Sequence, residues 1–157
     1  MLDRPNPEFR IAEEQLLIGT MRIYATQSEA SQLIPQQWRA FRLSHPALGD
    51  RSEFYGASPC TDDRQIHYLT GVLHRGPKSV ATGERLTLEA GEYAVASVED
   101  IASLRDTWTW LLSDWLATSG RREKHAPEFE RFTRFLEDGT PVGPVEIWIP
   151  LEQLATD

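Results

Sequence analysis

The sequence predicts an α+β fold: a tandem of two small α+β modules forming one curved antiparallel sheet, with helices on one face and a ligand groove at the seam. Three observations predict it. The order strand, connection, tryptophan-bearing helix, further strands occurs twice, from about Glu14 to His74 and from about Glu92 to Leu151. Short apolar runs of strand character bracket each of two helical stripes. The chain has 157 residues, 40% hydrophobic and 25% charged, the size and balance of one globular domain with its own core. Residue identity between the halves is negligible, so the repeat is architectural. Residues 1–11 read as an extended lead-in and 12–157 as a single domain.

The elements follow in order. "EQLLIGTMRIY", Glu14 to Tyr24, has the apolar density of a first strand. In "TQSEASQLIPQQWRAFRL", Leu33, Ile34, Trp38 and Phe41 recur at helical spacing. Ser28 offers a cap, and Pro35 is placed either within this helix or at its opening. "SHPALGDRS" is a turn-rich loop. "EFYGAS" and "QIHYLTGVLH" read as neighbouring strands joined by the turn "PCTDDR". "RGPKSVATG" breaks the pattern, and "RLTLEAG" alternates as a short edge strand. "GEYAVASVED" is a further strand. Ile101, Leu104, Trp108, Leu111, Leu112 and Trp115 then fall on one helical stripe that Gly120 stops. Phe129, Phe132 and Phe135 recur every third residue, the spacing of a helical turn or of an irregular packed segment. "VEIWIPL" closes the chain as a strand.

Composition narrows the function classes. A net charge of −8 opposes general nucleic-acid binding, which needs a basic face, and suits a cationic partner and plain solubility equally. The single cysteine, Cys60, forms no intrachain disulfide and points to a reducing compartment. "MLDRPNPEFR" lacks the apolar core of a signal peptide, and no apolar run is long enough to span a bilayer. The expectation is a soluble, cytoplasmic protein.

Most chemistry-bearing motifs are missing. His45, His67, His74 and His125 stand at no metal-ligand spacing, so neither a metal nor a cofactor is expected. There is no GxSxG elbow, no GxxxxGK loop and no GxGxxG junction. "GRREK" reads as a solvated loop. Five tryptophans are many for this length, and core packing accounts for several.

The residue that stands out is Glu146, within "GPVEIWIPLEQ". Side chains alternate along a strand. Val145, Ile147 and Ile149 therefore face the helices, and Glu146 and Trp148 face the other way. Tyr55, Tyr68 and Tyr93 are single aromatic insertions in separate strands and are candidates for the same face. The residues alone leave the readings open: Glu146 pairs with an arginine or lies exposed at a sheet edge, or it stands beside aromatic rings as the charge of a site.

Six segments, spread in order over residues 12–151, resemble the gyrase-inhibitor-like family, the effector-binding domains of AraC-type and MerR-type multidrug-responsive regulators. They are "IPQQWRAF", "FYGAS" with "HYLTGV", "LEAGEYAVASVED", "TWTWLLSDWLATSG", "APEFERF" and "VEIWIPL". The resemblance implies the tandem fold, an aromatic pocket and a last-strand glutamate that meets lipophilic cations. That role carries over to Glu146. Aromatic lining carries over to Trp38, Tyr55, Tyr68, Tyr93 and Trp148. Two departures stand out. About a dozen residues precede the first strand, too few for a helix-turn-helix, which suggests a stand-alone effector domain. "SVEDIASL" also replaces the family's His-x-Gly-Pro turn.

The function expected is binding of a lipophilic cation for sensing or sequestration, with no direct contact to nucleic acid or membrane. A protein partner or a homodimer is compatible with it, and a separate alternative is a protein-interaction module, such as a gyrase modulator, that needs no ligand. The alternative of another class is a hydrolase that opens reactive cyclopropane rings, with Glu146 as general base and Tyr55 or Tyr68 orienting the leaving carbonyl.

Overall fold

Eight strands form one sheet in the computed structural model, which describes residues 4–48, 53–74 and 83–154. They are β1 (Glu8–Ala12), β2 (Gln15–Tyr24), β3 (Phe54–Ser58), β4 (Ile66–Leu73), β5 (Glu84–Leu88), β6 (Gly91–Val98), β7 (Glu128–Phe135) and β8 (Pro141–Pro150). The spatial order is β1-β6-β8-β7-β3-β4-β2-β5, and every neighbouring pair is antiparallel. Helix α1 (Gln27–Ser44) joins β2 to β3. A second helical arm joins β6 to β7: a 3₁₀ turn (Ile101–Ser103), α2 (Leu104–Trp110), a π-helical stretch (Leu111–Trp115) and α3 (Leu116–Ser119). The series β2-α1-β3-β4 and β6-α2-β7-β8 are therefore laid out in mirrored strand order, and they meet where β3 pairs with β7.

Both helical arms lie on one face, as the alternation in β8 requires. Val145, Ile147 and Ile149 are fully buried on that side. Val145 packs in a cluster with Trp38, Phe41, Phe54, Val72 and Phe132, and Ile147 and Ile149 pack with Leu111 beneath the second arm. The opposite face carries its own cluster, with Leu17, Tyr55, Leu69, Tyr93, Val95 and Phe129. α1 is seated by a buried polar contact. Gln37 donates from Nε2 to the Tyr68 carbonyl (2.9 Å) and the Thr20 carbonyl (3.1 Å), and its Oε1 accepts from the Tyr24 hydroxyl (2.6 Å).

Several expectations are corrected here. Most of β1 lies within residues 1–11, expected as an extended lead-in; β1 pairs with β6 and forms one edge of the sheet. α1 begins earlier than Ser28. Thr26 is its cap, its side chain accepting from the Glu29 amide (3.1 Å), and Pro35 lies inside the helix. Residues 128–135 are a strand and not a helical turn. Phe129 and Phe132 are an odd number of residues apart, so they face opposite sides: Phe129 stacks on Trp148 and Phe132 packs on Trp38. Between Phe132 and Arg134 the pairing register shifts, with three residue steps on β8 (Val145 to Val142) against two on β7, and Phe135 at the strand end returns to Trp38. The three-residue spacing is thus a product of alternation and a strand-end irregularity. β5 is the other sheet edge, as expected. Gly120 ends α3 with φ +75°, a conformation favouring glycine. Parts of the two loops read from sequence, residues 49–52 and 75–82, lie outside the described residues. Among the described residues no helix is long and apolar enough to cross a membrane.

Candidate ligand-binding site

The seam between β3 and β7 has an unusual composition on its helix side. The register places Phe54 opposite Phe132, Gly56 opposite Glu130, and Ser58 opposite Glu128. Above these residues is a cavity of about 400 Å³, walled by Ile34 and Trp38 from α1 and by Leu104, Trp108 and Leu112 from the second arm. Its volume is in the range of small-molecule sites.

Gly56 makes the floor of this cavity possible. A Cβ at that position would lie 1.8 Å from the Tyr68 hydroxyl oxygen and 2.4 Å from its ring. The bare glycine lets the Tyr68 ring lie across β3 and reach the next strand. There its hydroxyl donates to Glu130 Oε1 (2.7 Å). Trp108 Nε1 donates to Glu130 Oε2 (2.7 Å), and Trp38 Nε1 donates to the Tyr68 hydroxyl (3.2 Å). An indole N–H donates only, so the Tyr68 hydroxyl accepts from Trp38 and directs its own proton to Glu130. Both Glu130 oxygens are acceptors, the pattern an ionised carboxylate satisfies.

Glu130 is only 9% exposed. Burial raises its pKa above the ordinary carboxylate value, and the Tyr68 and Trp108 hydrogen bonds oppose that rise. Tyr68 is pushed well above its usual range by burial and by the adjacent Glu130. Glu128, two residues along the same strand face, is also raised, by burial first and then by the Glu123 and Glu130 carboxyls. Arg105 lies at the cavity lining and donates to Ser31, a link between the two helical arms.

The structure sorts the residues expected from sequence into two groups. Trp38 and Tyr68 line the cavity. Glu146, Trp148, Tyr55 and Tyr93 lie on the opposite face of the sheet. Glu146 there accepts from Arg131 Nε (2.6 Å) and from Trp148 Nε1 (3.1 Å), and it pairs with Arg10 at 3.5 Å. Arg131 also bridges to Glu53 (2.5 Å). Burial raises the Glu146 pKa, but Arg131, Trp148 and Arg10 together outweigh it and leave the group below its ordinary value. Trp148 stacks on Phe129 with centroids 5.2 Å apart, Tyr93 packs edge-on against both rings, and Tyr55 packs against Phe129. Among the described residues this face carries these ring contacts and ion pairs. The alternation in β8 correctly turns Glu146 and Trp148 away from the helices; the cavity is on the helix side.

A family model described as an integron-associated effector binding protein matches residues 12–151. The chain belongs to this effector-binding family. No curated protein matches the sequence. Among solved structures, the effector-binding fold is similar to that of SAV2435 bound to tetraphenylphosphonium, with TM-score 0.72 and 17% identity over 94% of each chain. It is similar to an integron cassette protein of Vibrio cholerae, with TM-score 0.68 and 16% identity over 93% of this chain and 95% of that one. It is also similar to the C-terminal domain of EcmrR, with TM-score 0.62 and 13% identity over 96% and 99%. At these identities the likeness is one of fold.

Sequence reasoning missed Glu130, Glu128 and the pocket role of Trp108. The signal was there in "EFERF": read with period two, it sets Glu128, Glu130 and Phe132 on one face and Phe129 and Arg131 on the other. Trp108 was legible only as part of a packing stripe. Among the described residues, no group of three or more His, Cys, Asp or Glu side chains is arranged to hold a metal ion.

Proposed function

We propose that the protein binds a lipophilic, aromatic cation in the seam cavity, with Glu130 as its counter-charge, and thereby senses or sequesters such molecules. The observation that carries this reading is Glu130 itself. It is a buried carboxylate at the floor of a mainly apolar cavity, held by two neutral donors. Among the described residues it takes no hydrogen bond or ion pair from an arginine or lysine. A buried charge left without an opposite charge is costly, and a cationic ligand removes that cost. Trp108 and, at the floor, Tyr68 border the cavity, and a ring face beneath a cation contributes about 0.5–2 kcal/mol. Several such contacts reach micromolar affinity, on the order of −8 kcal/mol. The tetraphenylphosphonium held by SAV2435 supports the same class of ligand.

The experiment is a titration of tetraphenylphosphonium against wild type, Glu130→Gln and Glu146→Gln. The neutral amide at position 130 lowers affinity by about tenfold or more, at least 1.4 kcal/mol. Glu146→Gln, on the far face, leaves it within about a factor of two. Unchanged binding in Glu130→Gln, or loss confined to Glu146→Gln, overturns the assignment.

A further inference from the structure

The cavity holds a second acid that one cation on Glu130 leaves without a partner. Glu128 lies two residues before Glu130 on the same face of β7, opposite Ser58, and lines the same cavity. Two residues along a strand are ~7 Å apart. Among the described residues, Glu128 takes no hydrogen bond or ion pair from an arginine or lysine. Its side-chain partner is Glu123, another carboxyl, from the loop before β7. The other groups acting here are Glu130 on the same strand and the Cys60 thiol, whose own pKa is raised by burial and by the Glu128 charge. The cavity's cationic residue, Arg105, is bonded to Ser31.

We propose that Glu128 is a specificity-determining residue of the seam cavity, and that the preferred ligands are flat aromatic molecules carrying two positive centres about two strand residues apart, one for Glu130 and one for Glu128. The inference rests on the cation-binding function proposed for the cavity. Burial and the neighbouring Glu123 and Glu130 carboxyls raise the Glu128 pKa, because adjacent carboxylates repel. A second cationic centre supplies the opposite charge that the neighbouring acids cannot. Desolvating a dication costs more than desolvating a monocation, and a carboxylate for each centre offsets it. A monocation makes only the Glu130 half of this arrangement.

A matched pair of probes tests it: the N,N′-dimethyl bipyridinium dication, with its charges para-linked across two rings, and N-methyl-tolylpyridinium, the same shape with one ring nitrogen replaced by carbon. Both are titrated calorimetrically against wild type, Glu128→Gln, Glu130→Gln and Glu123→Gln. Wild type binds the dication at least about tenfold more tightly than the monocation. Glu128→Gln weakens the dication more than the monocation and brings the ratio to about one, Glu130→Gln weakens both probes, and Glu123→Gln, which keeps the Glu128 carboxyl, retains the preference. Equal affinities in wild type, or a ratio unmoved by Glu128→Gln, overturn the proposal while monocation binding through Glu130 stands. Neither probe binding to wild type overturns both.

Discussion

Gly56 is the smallest residue of the site and controls its geometry. Tyr68 reaches Glu130 because nothing projects from β3 beneath its ring. Gly56→Ala places a methyl group within overlap distance of the Tyr68 hydroxyl, so the ring must move and Glu130 Oε1 loses its donor. The expected outcome is destabilisation of roughly 1–3 kcal/mol, from overpacking and a stranded buried acceptor. Chemical denaturation measures that change, and a parallel titration shows weakened cation binding. The same scale explains why Glu146 was conspicuous in sequence. A carboxylate between apolar residues signals a special environment, but sequence does not say which. Here Arg131 and Arg10, far away in the chain, meet it across strand pairs, and the arginine-pairing reading describes its surroundings.

Strand β7 is the element whose identity decides the site. Its alternation was legible, yet the three-residue recurrence of phenylalanines competed with it, because in isolation both patterns fit a short apolar segment. Pairing with β3 on one side and β8 on the other settles the conformation, since each neighbour supplies the hydrogen bonds the backbone needs. That pairing sets Glu128 and Glu130 side by side facing the cavity, with a pH consequence. Both pKa values are raised in the folded protein, so the folded state holds these protons more tightly than the unfolded chain. Their contribution is fully present below the unfolded carboxylate pKa and is lost as pH climbs towards the raised folded values. Thermal unfolding therefore shows a midpoint that falls as pH rises from the ordinary carboxylate range through neutrality. In Glu128→Gln, which has no charge to bury, the fall is shallower, and an unchanged pH profile counts against this account.

At the level of the whole molecule, the cavity belongs to neither helical arm alone. α1 contributes Trp38, the second arm contributes Trp108, and the strands that pair at the seam contribute Gly56 and Glu130. A ligand there bridges both arms and binds only the folded state. At about 100-fold above Kd it adds about 2.7 kcal/mol of stability, and Tm rises by several degrees. Differential scanning calorimetry with tetraphenylphosphonium reads this shift, and Glu130→Gln reduces it. Tryptophan emission adds a positional check: Trp108→Phe reduces the ligand-dependent change, whereas Trp148→Phe, on the far face, leaves it.

By itself the sequence determined the fold class, the two helical arms, most of the strands and the division of β8 into two faces. These follow from local periodicity and from turn residues, whose physics acts over a few neighbours. It also contained the family relationship, spread over residues 12–151. Only the tertiary structure decided which sheet face holds the cavity and which carboxylate meets it. Glu130, between Phe129 and Arg131, and Glu146, between Val145 and Ile147, both stand in alternating strands, and alternation alone does not tell which faces a cavity. What separates them is what arrives from elsewhere in the chain: arginines at Glu146, and at Glu130 a tyrosine and a tryptophan, two neutral donors that hold its oxygens without neutralising its charge. Long-range strand pairing makes those encounters, and no window of sequence records them.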